Sequence, residues 1–204
     1  MENKAVKPSP QKSTRPKSPV PRTQLAPDHW IESAIDVLAR EGVAGLRVEV
    51  LAKACGVTKG SFYWHFKDRQ ALFDAVLERW KVGRIRDIEK STAVAPGQEL
   101  AQLHYAIEVY GASRNRKGMA IELAVRDWAR HDVRAAAVVE SVDLYRLECT
   151  RKLFVASGMT DAEAKSRSLL LYACVFGLSL MHYDQFDDNP GDLKQRIAER
   201  IVAA

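Results

Sequence analysis

The side chains with the most to offer chemically are gathered between residues 47 and 69: Arg47, Thr58, Lys59, Gly60, Ser61, Tyr63, Trp64, Lys67 and Arg69. They are cations, hydroxyls and amphipathic aromatics, with no paired acid and base among them. That set suits phosphates and base edges. Ammonium, guanidinium and hydroxyl groups donate to phosphate oxygens, whereas polar tips and apolar rings reach sugars and thymine methyls. Lys59, near a helix start, can reach a base edge or a phosphate, and the unpaired N–H groups of that start favour an anion. Gly60 permits close approach of the backbone to a groove. At about 100° per residue, Phe62 and Phe66 lie about 40° apart and point one way. Gly60, Tyr63, Trp64 and Lys67 fall on the other side, and Arg69 extends the positive strip. An exposed Tyr-Trp pair is an unusual choice for a face that meets only water; the competing use is a protein contact.

Catalytic and metal chemistry find no comparable support. The chain contains no HExxH, GxSxG, P-loop or dinucleotide fingerprint. Glu122 and Asp127 are five residues apart, off the i, i+4 spacing that would stack them on one helical face. No catalytic residue, metal ligand or cofactor is therefore expected. Cys55, Cys149 and Cys174 are odd in number and widely spaced, which fits a reduced, cytoplasmic setting. No signal segment is expected near Met1. The apolar run Leu169–Met181 is shorter than the roughly 20 residues needed to cross a bilayer, so no membrane partner is expected.

The net charge of +5 has a local origin. Residues 1–22 carry six basic side chains and one acid; the rest of the chain carries 25 of each. Overall basicity is thus a property of the first residues, and any case for a polyanionic partner must rest on local placement.

The elements that must position the 47–69 set are helical. Residues 1–27 hold six of the eight prolines among Lys, Ser and Thr, a composition expected to be disordered, either a solvated extension or a basic arm on DNA phosphates. A first helix begins at Pro27-Asp28, buries Trp30, Ile31, Ala34, Ile35, Val37 and Leu38, and ends at Gly42. A short helix follows over about Val48–Ala54, with a break at Gly56. Thr58 is placed to cap a third over Lys59–Phe66, and Asp68 to cap a fourth from Arg69 to about Ile88. Two short helices joined by a tight Gly-containing turn have the geometry that lays the second in a major groove. A hinge at Ala93–Gly97 precedes helices near Gln98–Ser113, Met119–Arg130, Val133–Ser157, Asp161–Phe186 and Leu193–Val202. The predicted fold class is all-α, with a DNA-binding domain at 28–80 and a larger helical domain at 81–204.

The segment Gly56-Val-Thr-Lys-Gly-Ser-Phe-Tyr-Trp-His-Phe66, preceded by Leu51-Ala52 and followed by Asp68-Arg-Gln-Ala-Leu72, resembles the helix-turn-helix of the tetracycline-repressor (TetR) family. The resemblance covers about residues 28–80. It implies a homodimeric regulator, usually a repressor, bound to a palindromic double-stranded operator and released by a small-molecule effector. The alternative is an activator or architectural DNA binder without a ligand. The implied DNA contacts are Thr58, Lys59, Gly60, Ser61, Tyr63, Trp64, His65 and Arg69. His65 has a second use, packing beside Phe66. Arg47 stands where the family commonly has Thr or Ser. It cannot cap the helix, but its guanidinium suits a phosphate. Glu49 favours the helix dipole, yet would repel DNA if it faced outward.

The resemblance further implies that the C-terminal helices form an effector cavity and a dimer interface. Ligand candidates are His104, Tyr105, Glu122, Trp128, Tyr145 and His182, for each of which core packing is the competing role. Leu169, Ala173, Phe176, Gly177 and Leu180 share one helical face, and Ile197 and Ile201 add a stripe. These are the interface candidates, with intramolecular packing again the competitor.

Overall fold

A computed structural model describes residues 26–111, 116–183 and 185–203. The proposed basic arm lies outside the described residues, apart from Ala26 and Pro27. Among the described residues the architecture is all-α: α1 (Pro27–Glu41), α2 (Val48–Ala54), α3 (Lys59–Phe62), α4 (Arg69–Thr92), α5 (Glu99–Gly111), α6 (Arg116–Ala129), α7 (Val133–Ala156), α8 (Asp161–Leu180) and α9 (Pro190–Val202). A 3₁₀ turn at Val43–Gly45, not anticipated from sequence, links α1 to α2.

Local chemistry sets most of the boundaries. Pro27 occupies the first turn of α1, where its missing N–H costs nothing. Gly42 closes that helix at φ 67°, a conformation costly to a residue with a Cβ. The Asp68 carboxylate accepts from Ala71 N at 2.8 Å, starting α4 as expected. Asp132 starts α7 by accepting from Arg134 N and Ala135 N at 2.9 and 3.0 Å. Thr160 and Asn189 perform the same service for α8 and α9.

Two apolar clusters hold the helices together. The first joins Trp30, Leu38, Leu51, Phe62, Leu72, Phe73 and Trp80 to Val125 and Trp128 of α6 and Val139 and Val142 of α7. The second packs Leu103 and Ile107 of α5 against Phe154, Leu171, Val175 and Ile201. The first cluster spans both halves of the chain. Consistently, α4 runs unbroken through residues 80 and 81, so the division expected there falls inside one helix.

Helix α8 stops at Leu180, six residues short of the predicted end. Met181, His182 and Phe186 are exposed, so a longer helix would have no packing to offset the entropy of ordering it. No helix among the described residues is long and apolar enough to cross a membrane.

Candidate nucleic-acid interface

Three helices and a turn build the surface around α3. Helix α2 ends in a glycine-closed turn: Gly56 adopts φ 67° and donates to Lys53 O, and Val57 N donates to Ala52 O at 2.9 Å. This pairing satisfies the last carbonyls of α2 and reverses the chain into α3. Thr58 takes the N-cap position in extended conformation, although its side chain makes no capping bond.

Helix α3 is shorter than the predicted Lys59–Phe66. Trp64 N and His65 N reach back only three residues, to Ser61 O and Phe62 O, tightening the chain into turns after Phe62. Phe66 N still bonds Phe62 O at 3.0 Å, and the two rings stack with centroids 5.3 Å apart. Trp30 meets Phe62 edge-on at 5.4 Å. Phe62 is fully buried, whereas Tyr63 and Trp64 are 56% and 79% exposed. The two faces therefore separate as the spacing predicts.

The outward face carries the remaining candidates unequally. Arg47, Thr58, Lys59, Gly60 and Lys67 are exposed, and Ser61 is half-buried. A Cβ built at Gly60 would meet only the Thr58 hydroxyl, at 3.9 Å, so packing within the chain does not require glycine there. The Lys59 ammonium pairs with the Glu49 carboxylate of α2. That hydrogen bond holds the Glu49 carboxyl below the usual carboxylate range and raises the Lys59 ammonium above its ordinary value. Glu49 thus faces outward.

Two of the candidates also make contacts within the chain. Arg69 does not simply prolong the cationic strip: its Nε donates to Leu46 O at 2.9 Å, and its guanidinium lies over the Phe73 ring at 4.6 Å. It clamps the loop before α2. His65 is half-buried, and its Nε2 is shielded without a hydrogen-bond partner, so packing against the core occupies the ring.

In the C-terminal half, Arg84, Met119, Glu122, Arg146, Tyr172 and Phe176 line a narrow pocket of about 10 Å³. Glu122 Oε1 accepts from Arg126 Nη2 at 2.9 Å and Arg146 Nη1 at 3.2 Å, and Asp143 chelates Arg126 at 2.6 and 2.9 Å. Glu122 Oε2 and Arg146 Nε are buried without partners. Of the six ligand candidates, Glu122 alone is among the pocket-lining residues. Trp128 is core, edge-on to Phe73. Tyr145 donates to Glu89 at 3.0 Å, a bond that pushes its phenol up to about 12. His104 is half-buried on α5, and Tyr105 and His182 are exposed. Sequence reasoning missed Arg84, Arg146 and Tyr172, which carry no local signal.

The interface candidates divide as well. Leu169, Ala173 and Leu180 are exposed and Gly177 is half-buried, joined by Leu170 and Met181. Phe176 instead turns inward, with the Arg126 guanidinium 4.1 Å above its ring. Ile201 is buried in the second core cluster and Ile197 packs against it, so the α9 stripe is intramolecular.

A helix-turn-helix with a two-faced second helix, mounted on a larger helical body, is the architecture of a DNA-binding regulator. The family model of the bacterial regulatory proteins, tetR family, matches residues 31–76. The chain is 28% identical over 189 residues to the HTH-type transcriptional regulator AcrR of Shigella flexneri, covering 85% of each protein. It is 43% identical over 56 residues to the tetracycline repressor protein class A of transposon 1721 from Escherichia coli, which covers 28% of this chain and 26% of that one. Its fold is shared with a transcriptional regulator from Saccharomonospora viridis solved in complex with choline, at a TM-score of 0.69 and 14% identity, covering 86% of this chain and 94% of that one. Residues 31–76 thus match the tetR-family model, and most of the chain is similar to a transcriptional regulator.

Proposed function

We propose that the protein is a homodimeric repressor that grips a palindromic operator in the cytoplasm through residues 59–66 and lets go when a small molecule enters its C-terminal pocket. The observation that carries the DNA contact is the division of α3 and its following turn: Phe62 and Phe66 buried, Tyr63 and Trp64 exposed beside Lys59. Open space at Gly60 adds that a partner, not the fold, accounts for glycine there. Arg47, Thr58, Ser61 and Lys67 supply phosphate contacts around this face, and Arg69 acts by fixing the preceding loop.

Self-association is supported by the exposed apolar stripe of α8, where Leu169, Leu170, Leu180 and Met181 are each more than half exposed. Such a stripe is costly in water and self-complementary about a two-fold axis. Effector binding is supported by the buried Glu122 Oε2 and Arg146 Nε between α4, α6, α7 and α8, which have hydrogen-bonding capacity to spare. Fold relatives that hold small molecules, such as the regulator solved with choline, support the same reading.

The deciding experiment is nuclease protection of DNA around the protein's own gene, followed by salt titration of the protected fragment. A palindromic footprint and a steep fall of affinity with salt are expected. Salt-independent or absent binding would falsify the DNA reading. Release of the fragment by a compound, lost in Glu122→Gln, tests the effector. Binding that no compound relieves would favour a regulator without a ligand.

A further inference from the structure

Glu49 is the residue that the DNA-binding reading leaves unexplained. It sits in the first turn of α2 and reaches outward across the gap to α3, where its carboxylate meets the Lys59 ammonium. Its side chain is 62% exposed and that of Lys59 54%, on the surface that also carries Tyr63 and the open flank of Gly60. An acid on a phosphate-binding surface costs affinity for every DNA sequence alike. It also cancels the charge of the one cation at the start of α3. A pair so placed therefore opposes indiscriminate binding and needs a specific return.

The edge of a G·C pair offers that return. In the major groove guanine presents two adjacent acceptors, O6 and N7, and cytosine beside them presents the N4 amino donor. An ammonium next to a carboxylate is the complement of that row. On A·T the ammonium keeps one purine acceptor, and the carboxylate falls between the adenine amino group and thymine O4, which repels it. We propose that Glu49 and Lys59 act as a joint base-reading pair, Lys59 donating to guanine and Glu49 accepting from cytosine, so that Glu49 is a specificity-determining residue of the operator contact. The proposal rests on α3 being the DNA-facing element. Off target, the two side chains satisfy each other and contribute little to phosphate binding; on target, they exchange one another for the two bases.

The test begins by letting the wild-type protein select duplexes from a random pool, which identifies the G·C pair under α2 and α3. Affinities are then measured for the selected duplex, for the same duplex with that pair changed to A·T, and for a mixed-sequence duplex, at several salt concentrations. In Glu49→Gln the discrimination between G·C and A·T should fall about tenfold. Affinity for the mixed duplex should rise several-fold, with a log–log salt slope steeper by about 0.9 as Lys59 becomes available to a phosphate. Lys59→Gln should lose the same discrimination while weakening binding to all duplexes. Melting temperature should be unchanged in both. The proposal is overturned if Glu49→Gln leaves discrimination intact at every position. It is equally overturned if affinity for all duplexes drops together with the melting temperature, the signature of a structural brace. Absence of salt-dependent binding by the wild-type protein would instead remove the reading of α3 beneath the pair.

Discussion

Phe73 of α4 and Trp128 of α6 meet edge to face, with ring centroids 4.9 Å apart and planes at 73°. The contact joins α4, which leaves the DNA-binding half, to a helix of the C-terminal half. Both rings lie in one apolar cluster with Trp30, Phe62 and Val142. The two halves should therefore melt as a unit. Trp128→Ala should cost about 3–5 kcal/mol and lower the temperature of a single calorimetric transition. Two resolved transitions in the wild-type protein would show that the shared cluster does not couple them.

The two faces of α3 separate affinity from stability. Tyr63→Ala and Lys59→Ala should each lose operator affinity while helicity, dimerisation and melting temperature survive, because the Tyr63 ring is exposed and Lys59 pairs with an exposed Glu49. Phe62→Ala should instead cost about 3–5 kcal/mol of folding stability. Circular-dichroism melts run beside fluorescence-anisotropy titrations distinguish the two. A Phe62 variant of normal stability would contradict the assignment of faces.

Gly60→Ala should be tolerated by the fold and not by the DNA. Its added Cβ enters open space, and alanine restricts the unfolded chain, so stability should hold or rise by up to about 1 kcal/mol. Operator affinity should fall because the methyl stands between helix and groove. Equal affinity for the variant and the wild type would remove Gly60 from the contact surface.

Asp132 links stability to acid pH. Backbone hydrogen bonds from Ala135 and then Arg134 favour its charged form and lower its carboxyl below the usual value. A carboxyl lowered on folding stabilises the fold above its unfolded pKa, and that stabilisation is lost as pH falls through the lower folded value. Asp132→Ala should cost about 1 kcal/mol at neutral pH. Asp132→Asn should retain most of the cap and flatten the acid limb of a stability–pH curve; an unchanged acid limb would count against this cap as its source.

The α8 stripe predicts an assembly phenotype. Leu169→Glu combined with Leu180→Glu places charge where two copies would meet, and both side chains are exposed, so folding should be spared. Sedimentation should show monomers, and binding to a full palindrome should fall toward that of a half-site. A double variant that still sediments as a dimer would place the interface elsewhere.

What was legible in the sequence was local. The opposed faces of Phe62 and Tyr63 follow from helical spacing within five residues, and Asp68 announces the start of α4 from its own side chain. The pocket was not legible, because Arg84, Glu122, Arg146 and Tyr172 come from four helices and converge only through tertiary packing. Arg69 reads as another surface cation, since nothing nearby in sequence reveals that its partner is the Leu46 carbonyl, 23 residues earlier. Phe176 and Ile201 carried the right periodicity on the wrong side. An apolar stripe states that a face is covered without stating by what, and here the Arg126 guanidinium and the second core cluster cover them.

The cations around α2 and α3 also give the molecule a polarity. Residues 47–69 carry five basic and two acidic side chains, while the rest of 23–204 carries twenty basic and twenty-three acidic. Residues 23–46 and 70–204 together are thus mildly negative, and the segment proposed to meet DNA is positive. Near a duplex the first is pushed away and the second drawn in, so the field of the DNA turns the protein before contact is made. Productive encounters are selected by orientation, and at high salt this alignment fades, slowing arrival as well as weakening the grip.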